Sequence, residues 1–321
     1  MPGVVVITDC DHDTVDPERA VLDGHDVELR RLQCRAPQEV ADRGGDADVL
    51  INQYVPITAE VLDALPRCRL VVRYGVGVDN VDVEAAARRG VWVANVPDYG
   101  RDEVADHTLA LALSVLRGVV VLDRSVHDGV WDLEAARPLR RLSTLTYGVV
   151  GCGAIGTAVA RRAAGLGMRV LGHDVPQVRS DPPIERVPLE ELLASADLVS
   201  LHAALTPHSH NLIGAAALAR MRPTAFLVNT ARGGLVDGAA LLAALDAGAL
   251  AGAALDVLEG EPPDELGWRL ARHGRVVATP HAAWYSEEAF HSLKTEVARE
   301  ALRVLEGGRP RSPVNQPAAR S

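Results

Sequence analysis

Short apolar runs alternate with segments of helical period along most of the chain. Runs at 4–8, 27–32, 49–53, 70–74 and 91–96 predict five strands. They are nearly continuous in apolar side chains, as strands covered on both faces are. Segments 58–65 and 83–89 between them carry helical patterning, the first opened by Thr58 with Val61 three residues on and the second closed by Gly90. Strands joined by helical crossovers make a parallel sheet, so the first 95 or so residues read as one α/β unit.

Past Pro97 the period changes. Residues 101–116 predict a long helix, apolar on most sides and expected to lie buried between domains. "HDGVWDLEAARPLRRLSTLT" (127–146) then reads as an irregular arm. A second strand–helix series follows, with strands at 148–151, 169–174, 198–203, 225–230, 252–257 and 276–279, and a last helix at 287–307. That helix is expected to pack on the first unit. The predicted fold class is α/β, with two Rossmann-like doubly wound parallel-sheet domains: 1–97 with 286–321, discontinuous in sequence, and 98–285, with a cleft between them.

"YGVVGCGAIGTAVARRAAGLGMRVLGHD" (147–174) holds Gly151, Gly153 and Gly156 as G-x-G-x-x-G, after a strand and opening a helix. The first glycine allows a tight turn, the second lets backbone approach a pyrophosphate, and the third lets helix and strand pack closely. The free N–H groups and dipole at the helix start favour the anion. Asp174, ending the second strand of this series, would accept hydrogen bonds from ribose hydroxyls and repel a 2′-phosphate. NAD is therefore predicted over NADP, the more so because no arginine follows before Arg179.

Three further strand ends carry chemistry. "AFLVNTARGGLVD" presents Arg232, "GAALDVLEGEPPD" presents Glu261, and "VVATPHAAW" presents His281 after Pro280. Open α/β sheets bind ligands at the carboxyl ends of their strands, so the three are expected to converge. Arginine offers a fork for a carboxylate or carbonyl, histidine exchanges a proton near neutral pH, and a carboxylate holds the imidazole in one tautomer. Together they describe a hydride-transfer site with a protein acid/base.

These motifs, with "RYGVGVDN" and "TPHAAWYSE", occur in the order in which they stand in the NAD-dependent D-isomer-specific 2-hydroxyacid dehydrogenase family. The chain resembles that family over essentially its whole length, and "PHAAWYSE" is similar to the branch of C-terminal binding protein, a transcriptional corepressor. The resemblance implies that Arg232 binds substrate, Glu261 supports the histidine and His281 is the acid/base. It implies a substrate-carboxylate cradle at Gly75, Val76 and Gly77, with Arg73 and Trp284 lining the pocket. Tyr74 and Val76 sit in this substrate loop, where side chains vary within the family, so the specific substrate stays open. On the cofactor side it implies Ala154 and Ile155 at the diphosphate, and Ala203, Ala204, Leu205 and Thr206 beneath the adenosine. Thr230, Ala231 and Asp256 would lie towards the nicotinamide. The discontinuous domain would be the substrate domain and 98–285 the NAD-binding domain. The partner is then a small 2-oxo or 2-hydroxy acid. A homodimer is expected through the helix after Pro97 and the 119–146 arm. Two alternatives stand beside this: an NAD-sensing corepressor-like binding protein, and a phosphorus oxyanion substrate clamped by Arg232 and Arg73.

The bulk composition narrows the rest. The 321 residues are 48% hydrophobic with a net charge of −10, which argues against nucleic acid as the partner. Lys294 is the only lysine. Four widely spaced cysteines predict free thiols in a reducing cytoplasm. The N-terminus has no basic, apolar signal pattern, and no run is long enough to span a membrane. Asp9 to Asp13, "DCDHD", is expected to be a polar loop and not a metal site. Trp131 is expected to be a subunit contact or a core residue, Trp284 a pocket wall or core, and Asp106-His107 a helix cap, an interface or a group near the nicotinamide.

Overall fold

The computed structural model describes residues 2–175 and 184–318. The chain divides into two compact units, one made of residues up to Gly100 together with those from Ser286 on, the other of Arg101–Tyr285.

In the first unit β1 (Gly3–Ile7), β2 (Val27–Arg31), β3 (Val49–Asn52), β4 (Leu70–Arg73) and β5 (Trp92–Ala94) form a wholly parallel sheet in the order β2-β1-β3-β4-β5. The order reverses between β1 and β3. Helices α1 (Asp16–Leu22), α2 (Pro37–Arg43), α3 (Ala59–Asp63) and α4 (Val83–Arg88) make the crossovers. As the sequence suggested, Thr58 caps α3 by accepting the Val61 N–H, and Gly90 takes φ 72° just past α4.

The second unit opens with α5 (Arg101–Leu116) and α6 (Val119–His127), so the first nine residues of the 119–146 arm are helical. Then come β6 (Thr146–Val150), α7 (Ala154–Gly165), β7 (Arg169–His173), β8 (Glu185–Arg186), α8 (Leu189–Ser195), β9 (Leu198–Leu201), α9 (Ala215–Leu218), β10 (Phe226–Asn229), α10 (Gly238–Asp246), β11 (Gly252–Leu255), α11 (Glu265–Ala271) and β12 (Val276–Ala278). The seven strands are parallel in the order β12-β11-β10-β9-β6-β7-β8, reversing beside β6. Helix α5 packs on α7 and against β10, β11 and β12 within this unit. The chain ends with α12 (Glu287–Leu305), capped by the Ser286 side chain and packed in the first unit on α1, β3 and β4.

Both sheets are doubly wound and parallel, the fold class read from the sequence. The strands stop one or two residues earlier than their apolar runs, because the last residues of each run turn out of the ladder into loops. The two-residue β8 has no apolar run to announce it. Trp131 is 89% exposed, so it is not a core residue.

Candidate active site

The second unit's strand order reverses beside β6, and in open α/β sheets ligands bind at such a reversal, outside the carboxyl ends of the strands. Gly151 turns out of β6 at φ 92°, and a Cβ there would lie 2.5 Å from the Ala203 nitrogen in the loop after β9. At Gly156 a Cβ would lie 1.9 Å from the Gly151 oxygen. Only glycine fits either place. Beside Gly153 no atom comes within 4 Å of the corresponding point, leaving open the approach to the first turn of α7, which begins at Ala154 and Ile155 without a side-chain cap. Uncapped N–H groups in open space at a helix start fit a diphosphate.

Asp174 follows β7. Its Oδ2 accepts the Cys152 N–H at 2.5 Å and its Oδ1 the Val175 N–H at 2.7 Å. Nothing in the sequence hints at this second task, in which the acid also ties down the glycine loop. A carboxylate has about four acceptor positions, so capacity for ribose hydroxyls is left. Arg186 donates to the carbonyls of Asp174 and Val175; Arg179 lies outside the described residues. Burial, with the Asp174 charge nearby, pushes the Cys152 thiol up to about 11, so it stays protonated. Burial pushes His202 down to about 3, and its neutral ring pairs with Ser200 at 2.8 Å. In the loop Ala203–Thr206, Ser209 donates to the Ala204 carbonyl and accepts the Thr206 N–H, while Leu205 packs on the core.

Arg232, Glu261 and His281 follow β10, β11 and β12, neighbours in one parallel sheet, and so stand along one edge. The Asn229 carboxamide organises the first turn, donating to the Arg232 carbonyl and accepting the Ala231 N–H. Thr230 is tied to Thr108 of α5 at 2.7 Å. A Cβ at Gly233 would lie 2.0 Å from the carbonyl carbon of Leu258, so the arginine turn is pressed onto the loop after β11. In that loop Leu258 N–H donates to Glu261 Oε1 at 3.3 Å, while Glu261 Oε2 lies 2.6 Å from His281 Nδ1.

His281 has φ 53°, uncommon for a residue with a side chain, and such strain persists only where surroundings enforce it. Asp256 enforces it. Its carbonyl accepts the His281 N–H at 2.7 Å, and its buried carboxylate accepts from Thr279 Oγ1 (2.6 Å), Ala282 N–H (2.9 Å) and Ala283 N–H (3.0 Å). His107 of α5 reaches the same cluster, 3.1 Å from Thr279 Oγ1 and 3.6 Å from Asp256. Asn229, Gly233 and Thr279 were missed as site-builders. Their signal was a polar residue ending an apolar run, or a glycine beside a functional one. Trp284 is half-buried, edge-on to Tyr285.

In the first unit, the loop after β4 carries Gly75 at φ 143°, where a Cβ would lie 2.2 Å from the Arg73 guanidinium. The Gly75 carbonyl accepts Val96 N–H and the Val76 carbonyl accepts Asn95 Nδ2. Val76 is 39% exposed, but Tyr74 is buried with its hydroxyl bonded to Glu18. Tyr74 stands at the start of this loop, directly after β4, and its ring is anchored by that bond. Among the described residues no group of three or more His, Cys, Asp or Glu could hold a metal, and no helix is long and apolar enough to cross a membrane.

A family model described as "D-isomer specific 2-hydroxyacid dehydrogenase, NAD binding domain" matches residues 109–283. The chain is 42% identical to a glyoxylate reductase of Korarchaeum cryptofilum, over 94% of this chain and 93% of that one. It is 36% identical to a glycerate dehydrogenase of Methylorubrum extorquens, over 87% and 88%. Its fold is similar to that of Aquifex aeolicus D-lactate dehydrogenase complexed with NAD and lactic acid, with a TM-score of 0.87, 27% identity, and 94% and 96% of the two chains covered. None of these relatives is a corepressor, and that alternative gains no support. The chain belongs to the D-isomer-specific 2-hydroxyacid dehydrogenase family, as an NAD-dependent oxidoreductase that interconverts 2-oxo and 2-hydroxy acids.

Proposed function

We propose that this enzyme reduces a short 2-oxo acid of glyoxylate size, with His281 as the acid/base. The observation that carries this reading is the 2.6 Å contact between His281 Nδ1 and Glu261 Oε2. With Nδ1 donating to Glu261, Nε2 is the nitrogen left to give a proton to the substrate oxygen, and the carboxylate stabilises the imidazolium. Arg232 orients the 2-oxo acid and balances charge gathering on its carbonyl oxygen. Bound NAD supplies or takes up the hydride. Gly151, Gly153, Ala154, Ile155 and Gly156 hold the diphosphate, Asp174 the adenosine ribose, Ala203–Thr206 the adenosine side, and Thr230, Ala231 and Asp256 the nicotinamide side. Gly75, Val76 and Gly77 bind the carboxylate through backbone N–H groups, with Arg73 and Trp284 as pocket residues. Residues 1–97 with 286–321 then serve as the substrate domain and 98–285 as the NAD-binding domain.

The glyoxylate reductase and glycerate dehydrogenase relatives support a substrate of this size. The test is NADH oxidation against glyoxylate, hydroxypyruvate, pyruvate and bulkier 2-oxo acids, with NAD reduction by phosphite as the contrasting arm. Turnover of phosphite and none of the acids would overturn the substrate class.

We also propose a cytoplasmic homodimer joined through α5 and the 119–146 arm. Its support is a cluster of exposed apolar side chains on that arm, Val119, Val126, Val130, Trp131 and Leu133, of the kind that marks a contact surface. All four cysteines are free and buried, in keeping with a reducing compartment.

A further inference from the structure

The first unit encloses a charged cluster that the proposed reaction does not use. Lys294 on α12 is fully buried, as is Glu18 on α1, and its Nζ lies 3.5 Å from Glu18 Oε2. The ammonium also donates to the Thr14 carbonyl and sits 4.9 Å from the centre of the Phe290 ring. The other oxygen of Glu18 accepts the Tyr74 hydroxyl at 2.5 Å. The His12 ring stands edge-on to both Tyr74 and Phe290 and pairs with Asp11 at 3.0 Å.

The choice of lysine is informative. The chain has 33 basic residues and every other one is arginine. Exposed positive charge is supplied here by guanidinium, while the enclosed position keeps a compact ammonium. An ammonium can aim its donors at a carboxylate and a carbonyl while facing an aromatic ring; a planar guanidinium needs a wider site.

Tyr74 links this cluster to the loop. It directly precedes Gly75, and its own N–H is fixed to the Asn52 carbonyl. Asn95 and Val96 hold the carbonyls of Val76 and Gly75 from the β5 side. A further support of the turn is the Tyr74 side chain, held by a charge-assisted hydrogen bond to Glu18.

We infer that Lys294 is a positioning residue for substrate binding: through Glu18 it holds the Tyr74 hydroxyl, and through Tyr74 it fixes the pitch of Gly75-Val76-Gly77. This rests on the reading of that loop as the carboxylate site. Without Lys294, Glu18 is a buried carboxylate lacking its counter-charge, and its grip on Tyr74 weakens.

The test compares glyoxylate with glyoxylamide, which lacks the carboxylate charge, in wild type, Tyr74→Phe, Lys294→Met and Lys294→Met/Glu18→Gln. Wild type is expected to prefer the acid. Tyr74→Phe should raise KM for glyoxylate about 10-fold, leave kcat nearly unchanged and shrink the acid preference by a similar factor. Lys294→Met should do at least as much. Adding Glu18→Gln should recover part of the loss, because a neutral carboxamide needs no counter-charge. A merely structural role would lower the active fraction and leave KM and the acid preference as in wild type, and that result overturns the inference. If Lys294→Met does not fold, Tyr74→Phe decides alone. A wild type that takes acid and amide equally well would instead refute the carboxylate-loop reading, and the positioning role with it.

Discussion

His281 Nδ1 lies 2.6 Å from Glu261 Oε2, and Glu261 is itself held by the Leu258 N–H at 3.3 Å. The two contacts fix both the tilt of the imidazole and the nitrogen that faces away from the carboxylate. Glu261→Gln keeps the side-chain size and removes the charge opposite the imidazolium. At saturating NADH and 2-oxo acid, kcat for reduction should fall by a large part of the ~10²–10⁴-fold that general acid–base catalysis contributes. NADH affinity, read by fluorescence titration, should hardly move. An unchanged kcat would leave Glu261 without the supporting role given to it.

Asp256 holds the histidine turn from within. Its carboxylate takes three donors from Thr279, Ala282 and Ala283, so Asp256→Ala leaves one buried and two half-buried donors unmet. Stability should drop by about 1–3 kcal/mol for each buried donor left without a partner. The relaxed φ at His281 should lower kcat as well. Urea unfolding and steady-state kinetics on the same preparation test both. Unchanged stability and kcat would show that Asp256 is not the anchor of the turn.

Asp174→Ala removes the ribose acceptor and also the acceptor of the Cys152 and Val175 N–H groups. NAD(H) should bind wild type far more tightly than NADP(H), and the variant should narrow that gap while losing some NAD(H) affinity through the slackened glycine loop. Calorimetric titration with both cofactors measures it. Equal affinities in wild type would contradict the role of Asp174.

His202 gives the protein a pH signature unrelated to turnover. Burial lowers its pKa from 6.5 to about 3. The unfolded chain therefore binds a proton below about pH 6.5 that the folded chain refuses. Stability from this group is complete above that pH and is lost as pH falls towards 3, at up to about 1.4 kcal/mol per pH unit. Urea midpoints from pH 7.5 to 4.5 should decline less steeply in His202→Gln than in wild type. Parallel curves would show that His202 is not responsible.

How much of this was legible beforehand follows from what each signal encodes. The apolar runs 49–53 and 198–203 revealed buried parallel strands because a strand covered on both faces has little room for polar side chains. The glycines at 151, 153 and 156 were legible because each meets a separate steric demand. The tertiary uses of polar side chains were not legible. Nothing local says that Asp256 ties three donors of a turn 23 to 27 residues on, or that Asn229 shapes the Arg232 turn. The same holds for Tyr74: it sits in a loop, as the sequence suggests, but nothing local says that its ring answers to Glu18, 56 residues away in sequence.

The most direct measurement is kcat for reduction of the best 2-oxo acid by His281→Ala, with NADH affinity measured alongside. His281 is 32% exposed at its side chain and its turn is secured by Asp256, so the substitution should leave the fold and the dinucleotide site in place. The expected result is a kcat lower by ~10²–10⁴-fold with NADH affinity nearly unchanged. Near-normal turnover in the variant would contradict His281 as the acid/base.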